Sequence, residues 1–176
     1  MSEQHNAFQR SFFDLFSLPQ IFRIDNAALA RAYREAQAQV HPDRYVHAPE
    51  AERRAAMQWA SHVNEAYQTL KQPLSRARYL LQLQNVAIAN TLPPQFLMRQ
   101  MEWREAVEQA EAAYDAAELA RLADAVHRDL EQGYAELAHD LDDEHNWTAA
   151  AQCVARLMFM DKLGAEIGDA LETLDV

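Results

Sequence analysis

The sequence predicts an all-α protein built as two helical domains. The chain has 176 residues, only three of them glycine, and is 49% apolar. The good helix formers Ala, Leu, Gln and Glu are abundant. Apolar residues recur at three- and four-residue intervals along most of its length, the period of amphipathic helices. Capping residues or prolines precede each of these runs. The length holds one large or two small domains, and the apolar content is sufficient for a packed core.

Taken in order, Phe12, Phe13, Leu15, Phe16 and Leu18 crowd a segment that ends at Pro19. They predict a short helix that packs across the following elements and closes a small core. Asp25 or Asn26 can cap the next helix, whose apolar residues Leu29, Tyr33, Ala36 and Val40 form one stripe. Pro42 disfavours the right-handed α region at His41, so this helix is expected to stop near Val40. An exposed His41-Pro42-Asp43 turn follows. A second helix, Pro49 to Leu70, carries Ala56, Ala60, Val63, Tyr67 and Leu70 as its stripe. Two such helices with a short polar loop make an antiparallel hairpin. Leu74 to Leu83 continues as a further helix with Ser75 as its candidate cap. Leu80, Leu81 and Leu83 make it too apolar for a flexible tether, so a rigid joint between the domains is expected.

Asn90-Thr91-Leu92-Pro93-Pro94 marks the next boundary. In the helix beyond it, at about 100° per residue, Phe96, Trp103, Val107, Ala110 and Tyr114 fall along one line. They form the predicted core face. Leu97, Met98 and Met101 fall on a second apolar face about 150° away, flanked by Glu102 and Glu105. Two accounts fit that face. The helix is buried on two sides, or it presents an exposed Met-rich patch, the kind of surface that adapts to a partner. Asp115 can cap a helix from Ala116 to about Leu141. After the polar break 142–146, with Asn146 as cap, the last helix runs from Trp147 nearly to the end. Phe159 sits about 200° round from Leu157, outside the core stripe of this helix's first half. Short connections between three long helices predict an antiparallel three-helix bundle.

Composition restricts the function classes. Net charge is −11. Residues 1–72 carry eight basic and eight acidic side chains, so the surplus lies wholly in residues 73–176. An acidic half argues against nucleic acid and anionic membranes as partners. It permits a basic protein partner, although most of these carboxylates read as solubilising. No run of about 18 apolar residues is present, and the first residues lack the pattern of a secretory signal. The single cysteine, Cys153, excludes an internal disulfide and a multi-cysteine zinc site, and reads as a buried small hydrophobe. These features predict a cytoplasmic protein. His127, His139 and His145 lack paired ligand spacing and read as surface or helix-end residues, and the break at 142–146 resembles no calcium loop. No cofactor is expected.

The turn is the most specific motif. His-Pro-Asp would occur by chance in a chain this long about one time in a hundred. Here it sits at a predicted helix end and is followed by Val63-Asn64-Glu65-Ala66-Tyr67, Leu70, Pro73, Arg76 and Tyr79. In this the chain resembles the J-domain, the module that stimulates ATP hydrolysis by DnaK-type chaperones. The resemblance implies a chaperone-binding surface of Arg31, Arg34, His41, Pro42, Asp43 and Arg44, with the aspartate pairing to an arginine of the partner. Without the turn, Arg31 and Arg34 would read as ordinary solvated helix charge. The helix is thinly basic for the family, with Gln37 and Gln39 late in it, and Arg44-Tyr45 stands where Lys-Phe is frequent. No Gly/Phe-rich linker and no cysteine repeats follow, unlike a general DnaJ-type chaperone.

Over nearly its full length the chain resembles the HscB family, the bacterial-type co-chaperones of iron–sulfur cluster biogenesis. The markers are Leu15-Phe16-Ser17-Leu18-Pro19, His41-Pro42-Asp43 and Pro73 to Leu81. They continue with Phe96-Leu97-Met98, Arg104-Glu105 and Phe159 to Leu163. The resemblance implies a J-domain over 1–75, a connecting helix and linker over 76–92, and a three-helix bundle over 93–176 in an L-shaped arrangement. It further implies a double adaptor that binds the cluster scaffold IscU through the bundle and the DnaK-type chaperone HscA through the J-domain. Such an adaptor activates its partner's ATPase and is not itself an enzyme. The scaffold site it implies is Leu97, Met98, Met101, Glu102, Glu105 and Phe159, with Arg104 at the rim. The competing readings are a J-protein that binds unfolded chains generally, an enzyme using His41 and Asp43, and a purely structural helical protein.

Overall fold

Prolines and short polar side chains set the helix starts. The computed structural model describes residues 10–39 and 48–174, and no strand occurs among them. The chain divides into two units, Met1–Leu80 and Leu81–Val176.

The first unit contains α1 (Phe12–Leu15), α2 (Asn26–Gln39), α3 (Glu50–Lys71) and most of α4 (Pro73–Leu83). Ser11 and Asp14 close a capping box at α1. The Ser11 hydroxyl accepts the Asp14 N–H at 3.1 Å, and the Asp14 carboxylate accepts the Ser11 N–H at 3.2 Å. Asp25 caps α2, its Oδ1 accepting the N–H groups of Ala27 at 2.8 Å and Ala28 at 3.2 Å. Pro49 precedes α3 and offers no side-chain cap. Glu50 and Glu52 in the first turn face the helix's positive end instead. Ser75 does not cap α4, because Pro73 opens that helix and places Ser75 inside its first turn.

The α2–α3 hairpin and α1 bury Phe13, Phe16, Phe22, Leu29, Val63, Ala66 and Leu70, joined by Ala77 and Leu80 of α4. Tyr33 stacks on Tyr67, with centroids 4.0 Å apart, and its hydroxyl donates to Asn64 Oδ1 at 2.8 Å. These contacts tie α2 to α3. Tyr79 of α4 stacks on Phe12 at 4.5 Å and accepts its N–H at 2.9 Å. Burial raises the Tyr79 pKa above the usual phenolic value. Arg76 is buried, donating from Nη1 to the Phe22 carbonyl at 2.7 Å with its guanidinium 5.2 Å from the Phe22 ring centroid. A buried cation needs such partners, and this one fastens the α1–α2 loop to α4.

The second unit holds α5 (Pro94–Ala112), α6 (Ala116–Ala138), a π-helical turn (His139–Asp143) and α7 (Trp147–Leu174), the predicted three-helix bundle. Asp115 caps α6 by accepting the Glu118 N–H at 3.0 Å, and Asn146 caps α7 by accepting the Ala149 N–H at 3.1 Å. The core is Trp103, Val107, Ala110, Leu119, Val126, Met160, Leu163 and Ile167. The α-helical path of α6 ends at Ala138, short of the expected Leu141, because the chain widens into the π turn, which still buries Leu141. Tyr114 also departs from expectation. It was expected on the core face, but α5 stops at Ala112. Tyr114 lies beyond that end with φ 54° and is 80% exposed.

Helix ends in this protein stop without glycine. Ser17, Asn85, Tyr114 and His145 take left-handed φ values of 54°, 55°, 54° and 51°. Paired hydrogen bonds return from the residues after them, as in Asp115 N–H to Ala110 O at 2.9 Å and Val86 N–H to Leu81 O at 2.9 Å. Meanwhile, Gly133 lies within α6, where a Cβ would meet Leu157 Cδ2 at 2.4 Å and Cγ at 3.1 Å. The missing side chain lets α7 approach. At Gly168 a Cβ would meet nothing within 4 Å.

Gly133→Ala is therefore expected to destabilise the protein. Overpacking against buried Leu157 costs about 1–3 kcal/mol, more than the gain of about 1 kcal/mol in helix propensity. Gly168→Ala should stabilise it by about 0.5–1 kcal/mol. Urea denaturation of the two variants measures both, and the midpoints should move in opposite directions. Tyr114→Gly should raise stability by about 0.5–1 kcal/mol by removing left-handed strain at a side chain that packs on little, measured the same way.

Candidate partner-docking surfaces

Two stretches carry the candidate residues, one in each unit. On α2, Arg31 and Arg34 are one turn apart and exposed. His41, Pro42, Asp43 and Arg44 lie outside the described residues, as does Val40.

The second surface is built by α5. Trp103, Val107 and Ala110 point into the bundle core. The opposite side of the helix therefore faces solvent, and it holds Leu97, Met98 and Met101 at 45%, 65% and 72% exposure. Glu102 and Glu105 are exposed beside them. Within the bundle, α6 and α7 cover only the inner face of α5 and leave the second apolar face unburied. Five of the six candidate residues lie together on the outward face of one helix.

Phe159 stands apart. It lies on α7 and packs partly buried against the core. Its ring meets Phe96 edge-on at 5.8 Å and lies nearly parallel to Trp103 at 6.4 Å. The wheel placed Phe159 outside the early core stripe of its helix. In the structure it fills the space between α7 and the inner face of α5. Arg104 connects the two settings. It lies about two turns along α5 from Leu97, and its guanidinium is 5.8 Å from the Phe159 ring centroid. Arg99 performs a similar role on Trp103 at 4.4 Å while pairing with Asp129 at 2.7 Å. The aromatic cluster is thus flanked by two cations, each contact worth about 0.5–1 kcal/mol at an exposed site.

Two features of this region were not singled out from the sequence. Arg99 shows no signal beyond its four-residue spacing from Trp103. Met158 is a further exposed apolar residue on α7, next to Phe159, and helical spacing alone would have separated it from buried Leu157.

A cavity of about 100 Å³ opens between α5, α6 and α7, with Trp103, Leu157 and Met160 in its walls. The Arg99–Asp129 pair and the Arg156–Glu136 pair, at 2.6 Å, line it as well. Cys153 also borders it. Burial pushes this thiol up to about 11, and it contacts the Gly133 carbonyl at 3.4 Å. It is a packed thiol, buried in the way that structural rather than reactive cysteines are. Among the described residues no group of three or more His, Cys, Asp or Glu side chains is placed to hold a metal ion, and no helix is long and apolar enough to cross a membrane. His127 and His139 are exposed beside carboxylates, with Glu131 at 3.5 Å and Asp143 at 3.3 Å.

Comparison with known proteins accounts for both units. The DnaJ domain family matches residues 11–79, and the family described as the HSCB C-terminal oligomerisation domain matches residues 92–168. The co-chaperone protein HscB homolog of Aromatoleum aromaticum is 49% identical over 171 residues, covering 95% of this chain and 97% of that one. The homolog of Azoarcus sp. is 50% identical with the same coverage. Among solved structures, chaperone HscB from Vibrio cholerae superposes with a TM-score of 0.83 at 38% identity, covering 94% of this chain and 99% of its own. With a J-domain match in one unit, an HscB-specific match in the other and relatives near half identical from end to end, the chain belongs to the HscB family of J-domain co-chaperones.

Proposed function

We propose that this chain is a double adaptor of iron–sulfur cluster assembly, which binds the scaffold IscU, delivers it to the DnaK-type chaperone HscA and stimulates that chaperone's ATPase. The observation that carries the reading is the exposed Leu97, Met98 and Met101 face in the unit that matches the HscB C-terminal domain. Monomeric surfaces rarely leave such side chains together in water without a partner to cover them. On this reading the scaffold contacts are Leu97, Met98, Met101, Glu102 and Glu105, with Phe159 and Arg104 at the inner rim. The chaperone contacts are Arg31, Arg34, His41, Pro42, Asp43 and Arg44. The J-domain match favours that end for the ATPase partner. The proposed setting is the cytoplasm.

The mechanism needs no covalent step from this chain. An adaptor lowers a partner's barrier by binding one of its conformations better than another. Holding scaffold and chaperone on one chain raises the effective concentration of each for the other. A general co-chaperone role would use the J-domain alone and show no preference for the scaffold.

Steady-state ATP hydrolysis by HscA, with this protein and IscU added singly and together, distinguishes these readings. Synergy between the two is expected, and His41→Gln should abolish the stimulation. Stimulation indifferent to IscU would leave only a general co-chaperone, and no stimulation would remove the chaperone-docking reading. For the scaffold site, the exposed trio is a cleaner target than Phe159, whose truncation also opens the core. The combined Leu97→Ala, Met98→Ala, Met101→Ala variant should bind IscU about a hundredfold more weakly by calorimetry, from three lost apolar anchors at about 1 kcal/mol each. Its thermal unfolding should be little changed. Undiminished affinity in that folded variant would contradict the assignment.

A further inference from the structure

We propose that Met98 and Met101 are a paired, reversible oxidation site, and that their conversion to sulfoxides by hydrogen peroxide switches the α5 docking face off. The inference rests on the scaffold-binding reading above and adds a chemistry to it. The chain has six methionines. Five lie among the described residues, and their exposure differs widely. Met98 and Met101 are 65% and 72% exposed and Met57 is 73% exposed, whereas Met160 is 2% exposed within the bundle core. Met158 lies between these limits. Among the described methionines, only Met98 and Met101 occupy one helix face three residues apart, beside Leu97, on the surface assigned to a partner.

The chemistry is a two-electron oxygen transfer. A lone pair on the thioether sulfur attacks one peroxide oxygen, the O–O bond breaks, and the departing hydroxide takes the remaining proton to leave as water. Sulfur is oxidised to the sulfoxide and the peroxide is reduced. Access of the oxidant to the sulfur decides which thioether reacts, and peroxide, being uncharged, is not repelled by Glu102 and Glu105. The product is polar and chiral, and sulfoxide reductases reverse the change. A helix surface residue tolerates it. The consequence falls on binding, because a sulfoxide buried against an apolar partner surface loses its hydration without a matching donor. A polar group so placed weakens association about tenfold, the equivalent of about 1.4 kcal/mol.

The test uses the full chain. It is treated with hydrogen peroxide, the peroxide is removed, sulfoxides are mapped by peptide mass spectrometry, and the protein is titrated with untreated IscU by calorimetry. Met98, Met101 and Met57 should gain oxygen well before Met160. Affinity should fall about tenfold or more and return after treatment with the two stereospecific sulfoxide reductases. Met57→Leu should bind as the parent does and remain peroxide-sensitive. In the Met98→Leu, Met101→Leu variant, the ratio of affinities before and after peroxide should become one. Unchanged binding by protein oxidised at both positions overturns the inference, as does a loss that persists in the double variant. Absence of binding by the untreated, reduced protein would instead overturn the scaffold reading on which it rests.

Discussion

The rotation of α5 about its own axis depends on Trp103. Its indole contacts both the Arg99 guanidinium and the Phe159 ring, with Phe96 set edge-on to both rings. Aromatic pairs of this kind contribute about 0.5–1.5 kcal/mol beyond their burial. Their directionality matters as much as their energy, since an aliphatic stripe could slip by some tens of degrees at little cost. With Trp103 locked, Val107 and Ala110 are carried inward and Leu97, Met98 and Met101 are carried outward. The outer surface is thus a consequence of the inner packing. A change that loosened the aromatic cluster would blur the outer face without touching any residue on it.

The same helix carries a packed core face and an exposed apolar face on about five turns of chain. The inner face is aromatic and aliphatic and packs against α6 and α7. The outer face is thioether and carboxylate. Methionine is a suitable residue there, because its unbranched side chain conforms to a partner's surface. Glu102 and Glu105 keep that surface wetted when it is uncovered. Negative charge beside apolar anchors steers the approach of a basic partner and lets the apolar contacts set the lifetime of the complex.

Helix positions were legible because prolines and polar caps announce them. Pro49, Pro94, Asp25, Asp115 and Asn146 mark starts that the structure reproduces to within a residue. The outward face of α5 was legible as well, since simple angular bookkeeping separates Leu97, Met98 and Met101 from Trp103. Failures came where a stop has no compositional sign. Tyr114 continues the apolar period, yet the backbone turns left-handed there, and no glycine warns of it. The π turn at 139–143 was legible only in its second half, where Asp142 and Asp143 open the polar break, because nothing in His139, Asp140 or Leu141 signals the wider hydrogen bonding. A wheel describes one helix, so it could set Phe159 outside the early stripe of α7 but could not show that rings on α5 cover it in part. Ser75 looked like a cap only because its hydroxyl is a good acceptor, and Pro73 had already opened the helix.

All three glycines of this chain lie inside helices, at positions 133, 164 and 168. Every connection is therefore made of residues with a Cβ or of proline, and each explores less backbone space when unfolded than a glycine-containing loop would. Folding thus begins from a stiffer denatured ensemble. The left-handed strain at Ser17, Asn85, Tyr114 and His145 is offset partly by that smaller loss of freedom. It is an economy that no contact in the folded protein reveals.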